Sequence, residues 1–157
     1  MPRPEAFTAV RLQERLANTR APEDPVDVVL PPGSERWTAV MHERITRSLC
    51  PAGVLIPVIE RVAGLSVLLT QRSAELKHHA GQVSFPGGAA DDTDRSAVST
   101  ALREAEEEIG LDFSQVSPLG FLDRVDTISD YRVLPVVALV RPSFVWKPDH
   151  REVDEVF

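Results

Sequence analysis

Read for the spacing of its apolar positions, the chain divides near residue 50. Before that point the spacing is helical. Phe7, Val10, Leu12 and Leu16 fall at roughly helical intervals within residues 6–18, AFTAVRLQERLAN. Trp37, Val40, Met41 and Ile45 do so again within 36–49, RWTAVMHERITRSL. Between the two, APEDPVDVVLPPGSE carries four prolines, which break regular structure and predict an extended connector. Residues 1–48 are therefore expected to form a helical arm packed on a main domain, which occupies 49–157.

After Pro51 the pattern changes to short β-branched or apolar runs. AGVLIPVIE and GLSVLLTQR, joined by RVAG, predict a hairpin. GQVSFPGG reads as a strand running into a glycine turn. LGFLDRVDTIS and RVLPVVALVRP predict two further strands around a loop, and FVWKP a short edge. Between these groups lies AADDTDRSAVSTALREAEEEIGLD, a loop and then a helix, with Asp94 as the expected N-cap and Gly110 as the stop. Val98, Leu102, Ala105 and Ile109 form its buried stripe. Strands before and after a central helix, with hairpins among them, predict an α+β fold on a mixed sheet.

That helix presents an electrostatic problem. Glu104, Glu106, Glu107 and Glu108 crowd its last turns, where the helix dipole already places negative charge. Like charges at i,i+4 repel by a few tenths of a kcal/mol per pair. Glu104, Glu107 and Glu108 share one face near the rim of the buried stripe, while Glu106 points elsewhere. A glutamate-rich face alone is more often solvated than functional. Here it follows a glycine turn, FPGG, and a loop holding Asp91, Asp92 and Asp94. Three carboxylates on adjacent turns suit hard cations such as Mg²⁺ or Mn²⁺. Arg103, four before Glu107, can orient one of them.

Composition narrows the chemistry. The 157 residues suit one domain with a real core. A net charge of −7 and a pI of about 5.1 argue against a nonspecific nucleic-acid binder. An acidic protein that handles anions needs local bases or a metal ion. The single cysteine, Cys50, forms no internal disulfide and is expected to be a small buried side chain. No apolar run suits a signal peptide or reaches the roughly 18 residues of a membrane span, which makes the cytoplasm the default location.

At Arg103–Leu111, R-E-A-E-E-E-I-G-L, the chain resembles the Nudix hydrolases, whose box reads G-x5-E-x7-R-E-U-x-E-E-x-G-U with U aliphatic. The first half departs. Counting back from Arg103 puts Ala89 in the glycine slot and Arg95 in the glutamate slot. Starting at Gly88 places Asp94 in the acidic slot with one extra residue before Arg103, and that register is preferred. A second stretch, LLTQRSAELKHHAGQVSFPGG, is similar to the segment that marks the coenzyme A pyrophosphatase branch, L-L-T-x-R-[SA]-x3-R-x3-G-x3-F-P-G-G. Arg72, Ser73, Gly81 and Phe85–Gly88 match, and Lys77 replaces the second arginine. Lysine keeps the charge and loses the bidentate fork.

The resemblance implies a Nudix-like α/β/α sandwich that hydrolyses a nucleoside diphosphate linked to another group. For this branch it implies cutting coenzyme A or acyl-CoA to 3′,5′-ADP and 4′-phosphopantetheine or its acyl form. Glu104, Glu107 and Glu108 would hold Mg²⁺ or Mn²⁺, with the Gly88 carbonyl as a further ligand and Arg103 as an orienting partner. Any one of the three acids could accept the proton of the attacking water. Arg72 and Lys77 would hold substrate phosphates, in a surface built with Gly81, Phe85 and Gly87. His78 and His79 receive no role. Glu152 and Glu155 could supply a late ligand or base, although a solvated tail is the plainer expectation. In that branch the closing REVDEVF leads into another strand and a C-terminal helix, so a shortened domain is expected. Two rivals stay open: a Nudix enzyme for nucleotide sugars, dinucleotides or damaged triphosphates, and a non-catalytic nucleotide sensor. A sensor would be expected to have lost one of the three acids.

Overall fold

The computed structural model describes residues 7–21, 33–40 and 49–157. A long first strand organises it. β1 (Cys50–Arg61) turns at Val62–Ala63 into β2 (Gly64–Val67), pairing antiparallel from Val58↔Val67 to Arg61↔Gly64. The expected hairpin is present, but GLSVLLTQR is two strands. β3 (Thr70–Arg72) leaves for a second sheet with β4 (Val83–Ser84). GQVSFPGG divides in the same way. β4 lies in the small sheet, and β5 (Gly87–Ala89) returns to β1.

The partner of β1 on this edge therefore changes along its length, from β5 at Ala52–Val54 to β2 at Val58–Arg61. Pro57 falls in the interval between them, where no ladder needs the N–H that proline lacks, and its carbonyl accepts from Leu68 N at 3.0 Å. On the other edge, β1 pairs in parallel with β8 (Tyr131–Val140) over ten residues, Cys50↔Tyr131 to Ile59↔Val140. β6 (Val116–Phe121) and β7 (Val125–Asp126) complete that edge antiparallel to β8. The small sheet has the order β4-β3-β9, with β9 (Val153–Val156) antiparallel to β3.

α1 (Ala9–Leu16) and α2 (Ala97–Ile109) cover opposite faces of the large mixed sheet. Ala101, Ala105 and Ile109 of α2 pack with Leu55, Leu111, Val136 and Val153 in the main core. Leu16 of α1 packs on Val58 and Val137, with Leu12 partly buried beside them. The Thr19 hydroxyl then receives the Phe121 N–H at 2.9 Å, which ties this segment to β6. The result is the expected α/β/α layering on a mixed sheet.

Several local expectations are corrected. Phe7 and Val10 are exposed, because the buried face of α1 runs through Ala9, Leu12 and Leu16. Within 36–49, residues 41–48 lie outside the described residues, including Met41 and Ile45. FVWKP is not a strand. It is a coil whose neighbourhood caps α2, with Lys147 N bonding Ile109 O at 2.8 Å and Asp149 N bonding Glu108 O at 2.9 Å. Cys50 is exposed, at the outer end of β1. The closing residues are not a solvated tail, since Val153 and Val156 enter the core through β9. Among the described residues no helix is long and apolar enough to cross a membrane.

Candidate active site

The acids stand beside the glycine strand because α2 lies directly on the sheet backbone. A Cβ on Gly53 of β1 would stand 2.3 Å from the Ala97 carbonyl oxygen and 2.9 Å from Ala101 N. Only glycine lets strand and helix approach so closely. The helix starts at Ser96, whose side chain accepts from Ser99 N while Ser99 Oγ accepts from Ser96 N, a reciprocal cap. Asp94 is thus not the N-cap. At the other end Gly110 takes a left-handed turn at φ 69°, with Gly110 N bonding Glu106 O and Leu111 N bonding Ala105 O.

Asp94 has a different partner. Its carboxylate receives Arg103 Nε at 3.3 Å and Nη2 at 3.0 Å, and that pairing holds its pKa below the ordinary value. Arg103 continues inward. Nη2 donates to Ala89 O at 3.0 Å, while Nη1 lies 2.8 Å from Glu104 Oε1 and 3.1 Å from Glu107 Oε2. One guanidinium therefore links the loop acid, β5 and two helix acids. The i,i+4 pair expected between Arg103 and Glu107 is one part of this larger network.

Glu108 faces the other way and is only 3% exposed. Its Oε2 accepts the Gly87 N–H at 3.1 Å, and Oε1 stands 3.7 Å from Arg72 Nη1. Burial pushes its carboxyl up to about 7; the Glu104 and Glu152 charges add to the rise, and the Gly87 N–H and Arg72 oppose it. Glu104 is also raised, first by burial and then by Glu107 and Glu152, against the pull of Arg103. Glu107 has a largely open side chain, and Glu106 faces solvent.

Gly88 lies against the Glu104 carboxylate, 2.6 Å from where its Cβ would be. The bonds Leu55 N to Pro86 O and Ala90 N to Pro51 O flank the β1–β5 ladder. In an antiparallel ladder they make Gly53↔Gly88 the hydrogen-bonded pair and Val54↔Gly87 the open one. The Gly88 carbonyl therefore turns toward β1. It is Gly87 whose N–H and C=O turn away from the strand, the N–H donating to Glu108.

Among the remaining candidates, Arg72 joins the cluster, and its buried Nε has no hydrogen-bond partner among the described residues. Phe85 is half-buried between β4 and β5. Lys77 and Gly81 lie exposed in the loop from β3 to β4, and Lys77 makes no ion pair among the described residues. His79 bonds only Gln82 there, at 3.1 Å. Glu152 is the residue that sequence reasoning set aside. Its charge reaches both Glu104 and Glu108, because the Ser73 N–H bond to its carbonyl at 2.8 Å draws the start of β9 beside β3.

Among the described residues no three acidic or histidine side chains converge as oriented to hold a metal ion. Arg103 stands between Glu104 and Glu107, and Glu108 is turned to Gly87. The donor set nevertheless fits a hard divalent cation. It is all oxygen, partly buried and rich in negative charge, and burial, with the neighbouring acids adding to it, already raises two of its members. A cation there would compete with Arg103 for Glu104 and Glu107.

The site is thus a helix-borne acidic cluster set against a glycine strand, in a mixed sheet that lies between helices. Residues 51–156 match the NUDIX domain model, and the chain belongs to the Nudix family. It is 50% identical over 106 residues to "Uncharacterized Nudix hydrolase NudL" of Escherichia coli (strain K12 / DH10B), covering 68% of this chain and 55% of that one. The protein of the same name from Shigella boydii serotype 18 is 49% identical over the same length. The chain thus spans about half the length of the curated relatives it matches. In structure it is similar to a Nudix hydrolase from M. smegmatis, RenU (TM-score 0.58, 25% identity, 69% of this chain and 68% of that one). The fold is shared with a C. elegans Ap4A hydrolase (TM-score 0.59, 18% identity, covering 68% and 76%). It is also shared with the NUDIX domain of Shewanella oneidensis NrtR, solved with ADP ribose (TM-score 0.54, 19% identity, covering 77% and 82%).

Proposed function

We propose that this chain is a metal-dependent pyrophosphohydrolase whose substrate is coenzyme A or an acyl-CoA. The products would be 3′,5′-ADP and 4′-phosphopantetheine or its acyl form. The observation that carries the reading is the acidic cluster beside Gly87, with Glu108 buried, Glu104 half-buried and Glu107 and Glu152 exposed at its rim, and two arginines reaching into it. Nudix hydrolases in general use divalent cations; Mg²⁺ or Mn²⁺ is the ion proposed here. Bound by Glu104, Glu107 and Glu108, with the Gly87 carbonyl turned the same way, it would neutralise the pyrophosphate and acidify water.

The chain's own residues supply the rest. Arg103 orients Glu104 and Glu107 and is itself fixed by Asp94. Arg72 offers its unpartnered Nε to a phosphate oxygen arriving beside Glu108. Water adds across the anhydride: its oxygen bonds to one phosphorus, and the bridging oxygen leaves with the other. Glu152, exposed and in no ion pair among the described residues, accepts the proton of that water. Coenzyme A is favoured over other nucleoside diphosphates by the Leu68–Gly88 segment, which brings Arg72 and Gly87 to the cluster. Residues 49–157 form the catalytic domain in this proposal, with the preceding segment as a packed arm. Reaction in the cytoplasm belongs to the same proposal.

The test is hydrolysis of coenzyme A with Mg²⁺ or Mn²⁺ and separation of products, beside a Glu107→Gln control and a panel of other nucleoside diphosphate derivatives. Both coenzyme A products should appear only with metal and be lost in the control. A folded protein that leaves coenzyme A intact but cuts another member of the panel overturns the substrate. One that cuts nothing overturns the enzyme reading.

A further inference from the structure

A cavity of about 450 Å³ lies on the opposite side of the Asp94–Arg103 pair from the acidic cluster. It opens between the first turn of α2 and the start of the parallel pair β1 and β8. Three arginines line it: Arg95 before the helix, Arg124 before β7 and Arg132 on β8. Their counter-charge is incomplete. Arg132 donates to Asp126 through Nε at 3.1 Å and Nη2 at 3.3 Å, and Arg124 Nε shares that same carboxylate at 3.7 Å. Arg124 Nη1 is buried with no hydrogen-bond partner among the described residues, a costly state for a guanidinium nitrogen. Arg95 is exposed and in no ion pair among the described residues. The one acid on the wall, Asp94, is already bound by Arg103.

The wall adds the positive end of a helix dipole. Ser96 and Ala97 bring the first turn of α2 to the cavity, and the helix dipole there favours an anion. Pro51, Ala52 and Leu134 give an apolar floor. We infer that this cavity is a second anion site, separate from the proposed metal site, for a small molecule that carries a phosphate group. Three guanidiniums, one with a waiting nitrogen, suit phosphate geometry. The volume and floor leave room for an organic group attached to it. The inference does not depend on which pyrophosphate the acidic cluster cleaves.

The two sites separate cleanly without metal, since the acidic cluster then repels phosphate. The experiment is calorimetric titration of the protein in EDTA with inorganic phosphate, with adenosine 3′-monophosphate, and with adenosine as the uncharged control. Saturable binding of a phosphate probe and none of adenosine is expected. Tighter binding of the nucleotide identifies an organic phosphate, and equal binding identifies free phosphate. Arg95→Gln/Arg124→Gln should weaken it by about tenfold or more, the loss of one or more charged hydrogen bonds. Arg72→Gln should leave it unchanged. Should the double variant not fold, Arg95→Gln alone, on an exposed side chain, carries the same comparison. Absence of saturable binding at millimolar phosphate overturns the inference, as does a loss that follows Arg72→Gln in place of the cavity arginines.

Discussion

Glu108 should make the metal-free protein less stable as the pH rises. In the unfolded chain its carboxyl titrates near 4.5, and in the fold near 7. Below 4.5 the side chain is neutral in both states and carries no penalty. Between the two values the folded protein keeps a proton that the unfolded chain has released, so its stabilising contribution is lost as pH climbs through 7. A shift of this size corresponds to up to about 3 kcal/mol at pH 8. Glu108→Gln removes the titration, keeps an oxygen for the Gly87 N–H and preserves the volume. Urea unfolding of both proteins in EDTA, from pH 4.5 to 8, isolates this one group from the other acids. The variant should gain on the wild type by up to about 3 kcal/mol across that range, a midpoint difference of the order of 1 M urea. A difference that is flat with pH, or that favours the wild type at pH 8, refutes the account of Glu108 as a buried, strained carboxylate. Mg²⁺ at pH 8 should stabilise the wild type more than the variant.

Three other outcomes are expected. Glu104→Gln should lower pyrophosphate turnover at least about a hundredfold, an effect of the size seen when a charged transition-state contact is removed, whereas Glu106→Gln should leave it near wild type. A steady-state assay of both variants checks this. Gly88→Ala should displace the Glu104 carboxylate and reduce turnover while thermal melting changes little, because the added methyl meets a side chain. Gly53→Ala meets helix backbone instead and should cost about 1–3 kcal/mol or more in denaturant unfolding, since neither element can yield.

The sheet and the long helix were legible because their signals are local. The stripe of Val98, Leu102, Ala105 and Ile109 and the β-branched runs of β1 and β8 carry their periods in the chain itself. The division of GLSVLLTQR between two sheets was hidden, since Leu68 and Leu69 continue an apolar run through the point where the backbone changes partner. β9 was missed for a related reason. Its buried valines, Val153 and Val156, are three apart, and the ladder with β3 shifts register between Gln71 and Arg72, so a period of two does not show. Glu152 was undervalued as a consequence. At the site, the glutamates and Arg103 were identifiable from spacing, and Arg72 from its motif. The partnership of Asp94 with Arg103, nine positions apart across a loop and a turn of helix, has no periodic signature. The orientation of the Gly87 and Gly88 carbonyls depends on ladder parity, which exists only once β5 has paired.

The parallel pair also dictates the order in which the molecule can assemble. Each of its ten bridges joins residues 81 positions apart, Cys50 with Tyr131 through Ile59 with Val140. Thr70 pairs with Val156 across a still longer interval. During synthesis β1 and its hairpin partner leave the ribosome long before β8 exists, and they must wait with one edge bare. Folding is thus governed by closure of long loops, which places it among the slower, millisecond-to-second folders. A stopped-flow refolding trace would time that wait, which an unpaired Leu55–Ile59 edge spends open to association with other chains.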